Sequence, residues 1–123
     1  MKMLALDYGS ARTGVAVSDP TGTVARPLTI IEHVMKPPGF SRLLDVIQEE
    51  APERIVVGLP LTLRGEHGAQ ADETVRFVEA LRDVLEIPVT TYDERFTSVL
   101  ADGDDARAAA HLLSSYLEWA GTR

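Results

Sequence analysis

The chain is predicted to fold as an α/β domain: a five-stranded mixed sheet, three strands antiparallel and two parallel, flanked by helices. Three observations carry this. Residues 3–32 hold three short apolar runs separated by turn-forming residues, the pattern of an antiparallel meander. Beyond residue 36, short apolar runs alternate with stretches of helical period, which calls for parallel strands joined by right-handed crossovers. Finally, 123 residues with 45% hydrophobic and 25% charged content build one packed core and no second lobe. Residues 1–123 are therefore expected to form a single domain.

The elements follow in order. Met3-Leu4-Ala5-Leu6-Asp7-Tyr8 reads as a buried strand that ends in an acid. Gly9-Ser10-Ala11-Arg12 is the turn, and Thr13 to Ser18 the returning strand of a hairpin. Asp19-Pro20-Thr21-Gly22 is a second turn, and a third strand runs from Ala25 to Glu32. Lys36-Pro37-Pro38-Gly39 breaks the chain before a helix whose apolar face carries Phe40, Leu43, Leu44 and Ile47; Pro52 closes it. Arg54 to Pro60 is a short buried strand. A polar loop with Gly65 and Gly68 leads to a second helix with Ala71, Val75, Val78, Leu81 and Leu85 on its apolar face. Ile87 to Tyr92 is the fifth strand, and the last helix spans about Asp105 to Ala120, with Ala106, Ala109, Ala110, Leu113, Tyr116 and Leu117 on one side.

Composition excludes several function classes. There is no cysteine, so disulfides, thiolate metal sites and cysteine nucleophiles are ruled out; a reducing, cytoplasmic setting is expected. No run approaches the roughly 20 apolar residues of a membrane span, and Lys2 and Asp7 interrupt the N-terminus too early for a signal peptide. The net charge of −7 runs against nucleic-acid binding, which ordinarily uses a basic surface that displaces counterions from phosphates.

Ligands of α/β sheets gather at the carboxyl ends of the parallel strands. Asp7 ends the first strand, Glu94 follows the fifth, and Asp105 opens the last helix, so three acids remote in sequence can converge on one edge. Clustered carboxylates repel one another. Mg2+ or Mn2+, both of which favour oxygen ligands, resolves that repulsion, and a pair of such ions can activate water against a phosphodiester. Each acid also has a structural reading: Asp7 as a turn former, Glu94 paired with Arg95 or Arg64, Asp105 as a helix N-cap. Asp102-Gly103-Asp104 lacks the other positions of a calcium loop and reads as a solvated turn.

Gly9 to Gly14 offers backbone N–H groups and the Arg12 guanidinium as a phosphate cradle, or else forms a plain hairpin turn. Gly58-Leu59-Pro60 with Arg64, Gly65 and Gly68 is a second glycine-rich strand end. Gly9, Arg12, Arg64 and Arg95 are the substrate-binding candidates. His33, His67 and His111 show no metal-ligand spacing. His67 lies in the glycine-rich loop, where it can meet substrate, and His111, next to Leu112 in the last helix, can contact the core edge or solvent. Phe40, Phe77 and Trp119 read as packing residues rather than base-stacking platforms.

These residues form an ordered set of signatures. Asp7-Tyr8-Gly9, Arg12 to Asp19 and Ala25-Arg26-Pro27-Leu28 come first, followed by Val57-Gly58-Leu59-Pro60-Leu61. Tyr92-Asp93-Glu94-Arg95-Phe96-Thr97-Ser98 and then Asp105 with Leu113-Ser114-Ser115-Tyr116-Leu117 complete the set. Over nearly the whole chain this resembles the YqgF/RuvX family, once taken for Holliday junction resolvases and now regarded as pre-16S rRNA nucleases. The resemblance implies an RNase H-like fold and divalent-metal hydrolysis of phosphodiesters. It further implies trimming of the 5′ end of pre-16S rRNA during ribosome maturation, with RNA on the ribosome, or branched DNA, as partner. Carried over by position, the acids are Asp7, Glu94 and Asp105, with Asp93 the alternative to Glu94. A monomer or homodimer is compatible with it.

One departure stands out. The family usually carries a longer segment, including a Lys/Arg-rich stretch, between the Asp-Glu-Arg motif and the closing helix, whereas here Ser98 reaches Asp105 almost at once. The expectation is that a mobile basic loop belongs there and that −7 overstates the acidity. Two rival readings are a one-lobed ATP-binding module, because Asp7 to Gly14 also fits the phosphate hairpin of sugar kinases and actin, and a catalytically silent nucleic-acid- or protein-binding domain.

Overall fold

The computed structural model describes residues 1–60, 68–93 and 105–121, the Asp105 side chain excepted. The elements are β1 (Met3–Asp7), β2 (Arg12–Ser18), β3 (Ala25–Glu32), α1 (Pro37–Glu50), β4 (Arg54–Leu59), α2 (Ala69–Val84), β5 (Val89–Asp93) and α3 (Asp105–Gly121). The sheet order is β3-β2-β1-β4-β5. β2 pairs antiparallel with both β1 and β3, while β4 pairs parallel with both β1 and β5. The expected mixed sheet is the one that forms.

The pleat divides the apolar residues into two cores. Leu4, Leu6, Val15, Ile55, Val57 and Val89 face α1 and α2, meeting Leu43, Ile47, Phe77, Val78 and Leu81. Met3, Ala5, Ala16 and Val56 face α3, meeting Ala109, Leu112, Leu113 and Tyr116. The central strands are covered on both sides, which explains why β1 and β4 are apolar throughout rather than alternating.

Several local details differ from the sequence reading. Pro37 and Pro38 do not precede α1 but form its first turn, where a missing N–H leaves no bond unmade and a fixed φ suits the helix. A Cβ on Gly39 would overlap the His33 carbonyl oxygen, so the helix start and the β3–α1 connection require a glycine there. Arg12 belongs to β2, opposite Glu32, rather than to the turn. In α2 the buried stripe is Ala71, Thr74, Phe77, Val78 and Leu81, with Val75 and Leu85 only partly covered. β3 carries Pro27 at the sheet's edge, beside a register shift between Val15 and Ala16 on β2.

Candidate active site

β1, β4 and β5 run parallel, so Asp7, Leu59 and Asp93 end at the same edge of the sheet. Their faces differ. Asp7 shares the face of Met3 and Ala5, toward α3. Tyr92 shares that face too, whereas Asp93, opposite Leu59 and one residue further along, lies on the face of Val89 toward α2. By register, Asp7 is opposite Gly14 on β2. On its other side it is level with Gly58, one step beyond the Leu6–Val57 pair. Gly58 in turn is paired with Tyr92. The residues level with the half-buried Asp7 on both neighbouring strands are thus glycines. Glycine within a strand marks close approach of a ligand or of another backbone.

The loop after Asp7 is held by one buried hydroxyl. Thr13 Oγ1 accepts from the Gly9 N–H (3.4 Å) and donates to the Gly9 carbonyl (3.2 Å). A Cβ on Gly9 would overlap the Arg12 carbonyl oxygen, so this glycine has a steric reason whatever it binds. The His33 N–H donates to the Ala11 carbonyl (3.0 Å), tying the loop to the end of β3. Arg12 is exposed at the loop's exit. On the α2 side, the Tyr8 ring packs on Phe77 with centroids 4.9 Å apart. Burial, helped by the neighbouring Glu73 carboxylate and opposed by Arg76, pushes the Tyr8 hydroxyl above its ordinary pKa.

Of the other sequence candidates, Glu94, Arg64, Arg95 and His67 lie outside the described residues, as does Asp102-Gly103-Asp104. Asp105 opens α3, its side chain likewise outside the description. Among the described residues no group of three potential metal-binding side chains forms. Of the three acids expected from the sequence, the side chain of Asp7 alone is described; its carboxylate, half-buried at a strand end, offers the oxygen donors that a hard divalent cation favours. His33 and His111 are exposed. Asp19 serves the β2–β3 turn: its carboxylate accepts from the Thr23 N–H (2.7 Å), the Val24 N–H (2.8 Å) and the Thr21 hydroxyl. Those bonds hold it well below the usual carboxylate range.

Phe77 is fully buried and Phe40 packs at the core's edge, as expected of packing residues. Trp119 is 42% exposed and sits in an aromatic group that sequence spacing did not reveal. Tyr92 meets Tyr116 edge-on at 5.5 Å and Trp119 at 5.8 Å, and its hydroxyl lies 3.1 Å from Ser115 Oγ. The expected basic segment before α3 is not there. Residues 94–104 are continuous and contain a single basic residue, Arg95, so the charge of −7 stands.

A model of the RuvX family, described as Holliday junction resolvase, matches residues 1–119. A protein of Chloroflexus aggregans, provisionally named a pre-16S rRNA nuclease, is 47% identical over 100 residues, covering 81% of this chain and 70% of its own length. One from Desulforudis audaxviator with the same provisional name is 36% identical over 132 residues, covering 95% and 94%. Among solved structures, fowlpox virus resolvase bound to Holliday junction DNA superposes with a TM-score of 0.63 at 12% identity, covering 98% and 99% of the two chains. Thermus thermophilus RuvC on its junction substrate gives 0.60 at 17%, covering 98% and 96%. These likenesses show the RNase H-like fold, and the matches in sequence show the family: the chain belongs to the YqgF/RuvX family.

Proposed function

We propose that this chain is a metal-dependent endonuclease that hydrolyses phosphodiesters, with the 5′ end of pre-16S rRNA as its substrate. The observation that carries the reading is the Asp7 carboxylate, set between Gly14 and Gly58 at the carboxyl edge of an RNase H-like sheet. The names of the relatives support a nuclease and favour RNA. Asp7, Glu94 and Asp105 are the residues that would hold Mg2+ or Mn2+. When bound, the ion supplies water activation and neutralisation of charge on the phosphate.

The chain's own part is positioning. The Thr13 hydroxyl fixes the Gly9 turn, and Arg12, exposed at the start of β2 where that turn ends, is assigned with it to a substrate phosphate. Arg64 and Arg95 are assigned to the substrate backbone, giving an acidic protein a local cationic lining. No helix among the described residues is long and apolar enough to cross a membrane, and a cytoplasmic setting is part of the proposal.

The test is cleavage of precursor rRNA and of a four-way DNA junction side by side, with and without Mg2+ or Mn2+. Metal-dependent cleavage of the RNA that is lost in Asp7→Asn is the expected result. Preferential cleavage of the junction would move the assignment to a DNA resolvase, the activity named for the fowlpox protein. Absence of cleavage with retained RNA binding would leave a silent binding domain.

A further inference from the structure

At the edge of the sheet opposite Asp7, before β4 and β5 begin, the carboxyl ends of α1 and α2 enclose a shallow groove of about 390 Å³. Its floor is apolar: Ile47, Ala51, Pro52, Val84, Leu85 and Ile87. Val84, at the end of α2, is 56% exposed. Isolated exposed apolar residues are ordinary, but a contiguous set in a concave site marks a contact surface.

The rim is acidic. Glu86 lines the groove, and Glu49, Glu50, Glu53 and Asp83 lie within two residues of its walls. Glu50 is paired with Lys2 at 3.1 Å, whereas Glu49, Glu53, Asp83 and Glu86 are exposed and form no ion pair among the described residues. Both helices also direct their carboxyl ends, the negative poles of their dipoles, at this site. α1 has no basic residue in its last turn, and the Arg82 guanidinium of α2 is engaged by the Val89 carbonyl at 3.1 and 2.6 Å. Acids at helix carboxyl ends oppose the dipole and weaken the helix, so the arrangement has no explanation in stability.

We propose that this groove docks a basic polypeptide segment carrying an aliphatic or aromatic side chain into the apolar floor. Charge decides the class of partner: the rim repels phosphates and attracts lysine and arginine, so nucleic acid is excluded and a cationic protein fits. The length of β4 separates the groove from the Asp7 edge, roughly 17–20 Å at 3.3 Å per residue. Both surfaces can therefore be occupied at once, and an acidic enzyme gains a second hold on a nucleoprotein substrate.

The full chain is titrated with a fluorescein-labelled peptide alternating lysine and leucine, read by anisotropy and by 15N chemical shifts. Saturable binding with shifts at Ala51 and Val84–Ile87 is expected, weakened about tenfold or more by Val84→Asp and by Glu86→Lys, and weakened by salt. A peptide with serine in place of leucine should lose most of the affinity. Equal binding by the serine peptide, no effect of Val84→Asp, or 15N shifts at Ala51 and Val84–Ile87 produced by an RNA oligonucleotide without peptide would overturn the proposal. So would self-association abolished by Val84→Asp, which would assign the groove to a second copy. Val84→Asp should leave RNA cleavage unchanged, so failure here and failure of the nuclease reading are separable.

Discussion

Asp7 and Asp93 end parallel strands at one edge of the sheet, yet they lie on opposite faces of it. Asp7 is on the α3 side and Asp93 on the α2 side. Two carboxylates divided by the plane of a sheet do not serve one ion. Alternation therefore argues against Asp93 as a partner of Asp7 and leaves the proposed role with Glu94.

If Asp7 holds the ion as proposed, Asp7→Asn should lower cleavage in Mg2+ or Mn2+ by more than about 100-fold, beyond the 10–100-fold typical of outer-shell partners. Asp93→Asn should retain most of the activity. Single-turnover cleavage by both variants, with circular dichroism to show intact folds, checks the pair; equal losses would refute the separation by face.

Gly9→Ala should destabilise the fold by about 1–3 kcal/mol, the usual range for overpacking. The added methyl meets the Arg12 carbonyl, a backbone atom that moves only if the whole turn moves. Urea denaturation measures the loss, and cleavage should fall with it as the turn shifts away from Asp7.

Thr13→Val keeps the shape of a fully buried side chain but removes the hydroxyl that bridges the N–H and carbonyl of Gly9. A cost of about 0.5–1.5 kcal/mol is expected, the net worth of an ordinary hydrogen bond, because Gly9 is only part-buried. Thr13→Ser should recover much of it. A valine variant as stable as the wild type would show that the bridge contributes nothing.

Asp19 gives a pH dependence of known sign. Its folded pKa is depressed, so its contribution is complete above the unfolded value near 3.9 and is lost as the pH falls through the lower folded value. Asp19→Asn cannot titrate. Its acid-melting profile below about pH 4 should be flatter than that of the wild type, and parallel profiles would contradict the assignment.

The order of all eight elements was legible because turn residues and periodicity act locally. The stripe of α2 was not. Val75 looks more apolar than Thr74, yet Thr74 is the buried one, because its hydroxyl donates to the Gln70 carbonyl one turn back (2.9 Å) and so carries its polar atom into the core already satisfied. Asp7 could be read from the end of an apolar strand, but its glycine neighbours could not, since Gly14 and Gly58 come beside it only through register. The Tyr92–Tyr116–Trp119 group joins β5 to α3 through pairings that no local pattern encodes. Lys36 to Gly39 misled because proline, a breaker inside a helix, is favoured in its first turn.

Pro27 has a consequence beyond its own strand. β3 ends the sheet on one side, and an open edge invites another chain to add itself there. Pro27 removes one donor from that edge, the neighbouring register shift distorts the ladder, and the exposed Arg26 and Glu32 place charges near its two ends. The margin of the sheet is thereby a poor template for cross-β growth, a safeguard against aggregation written into the outermost strand.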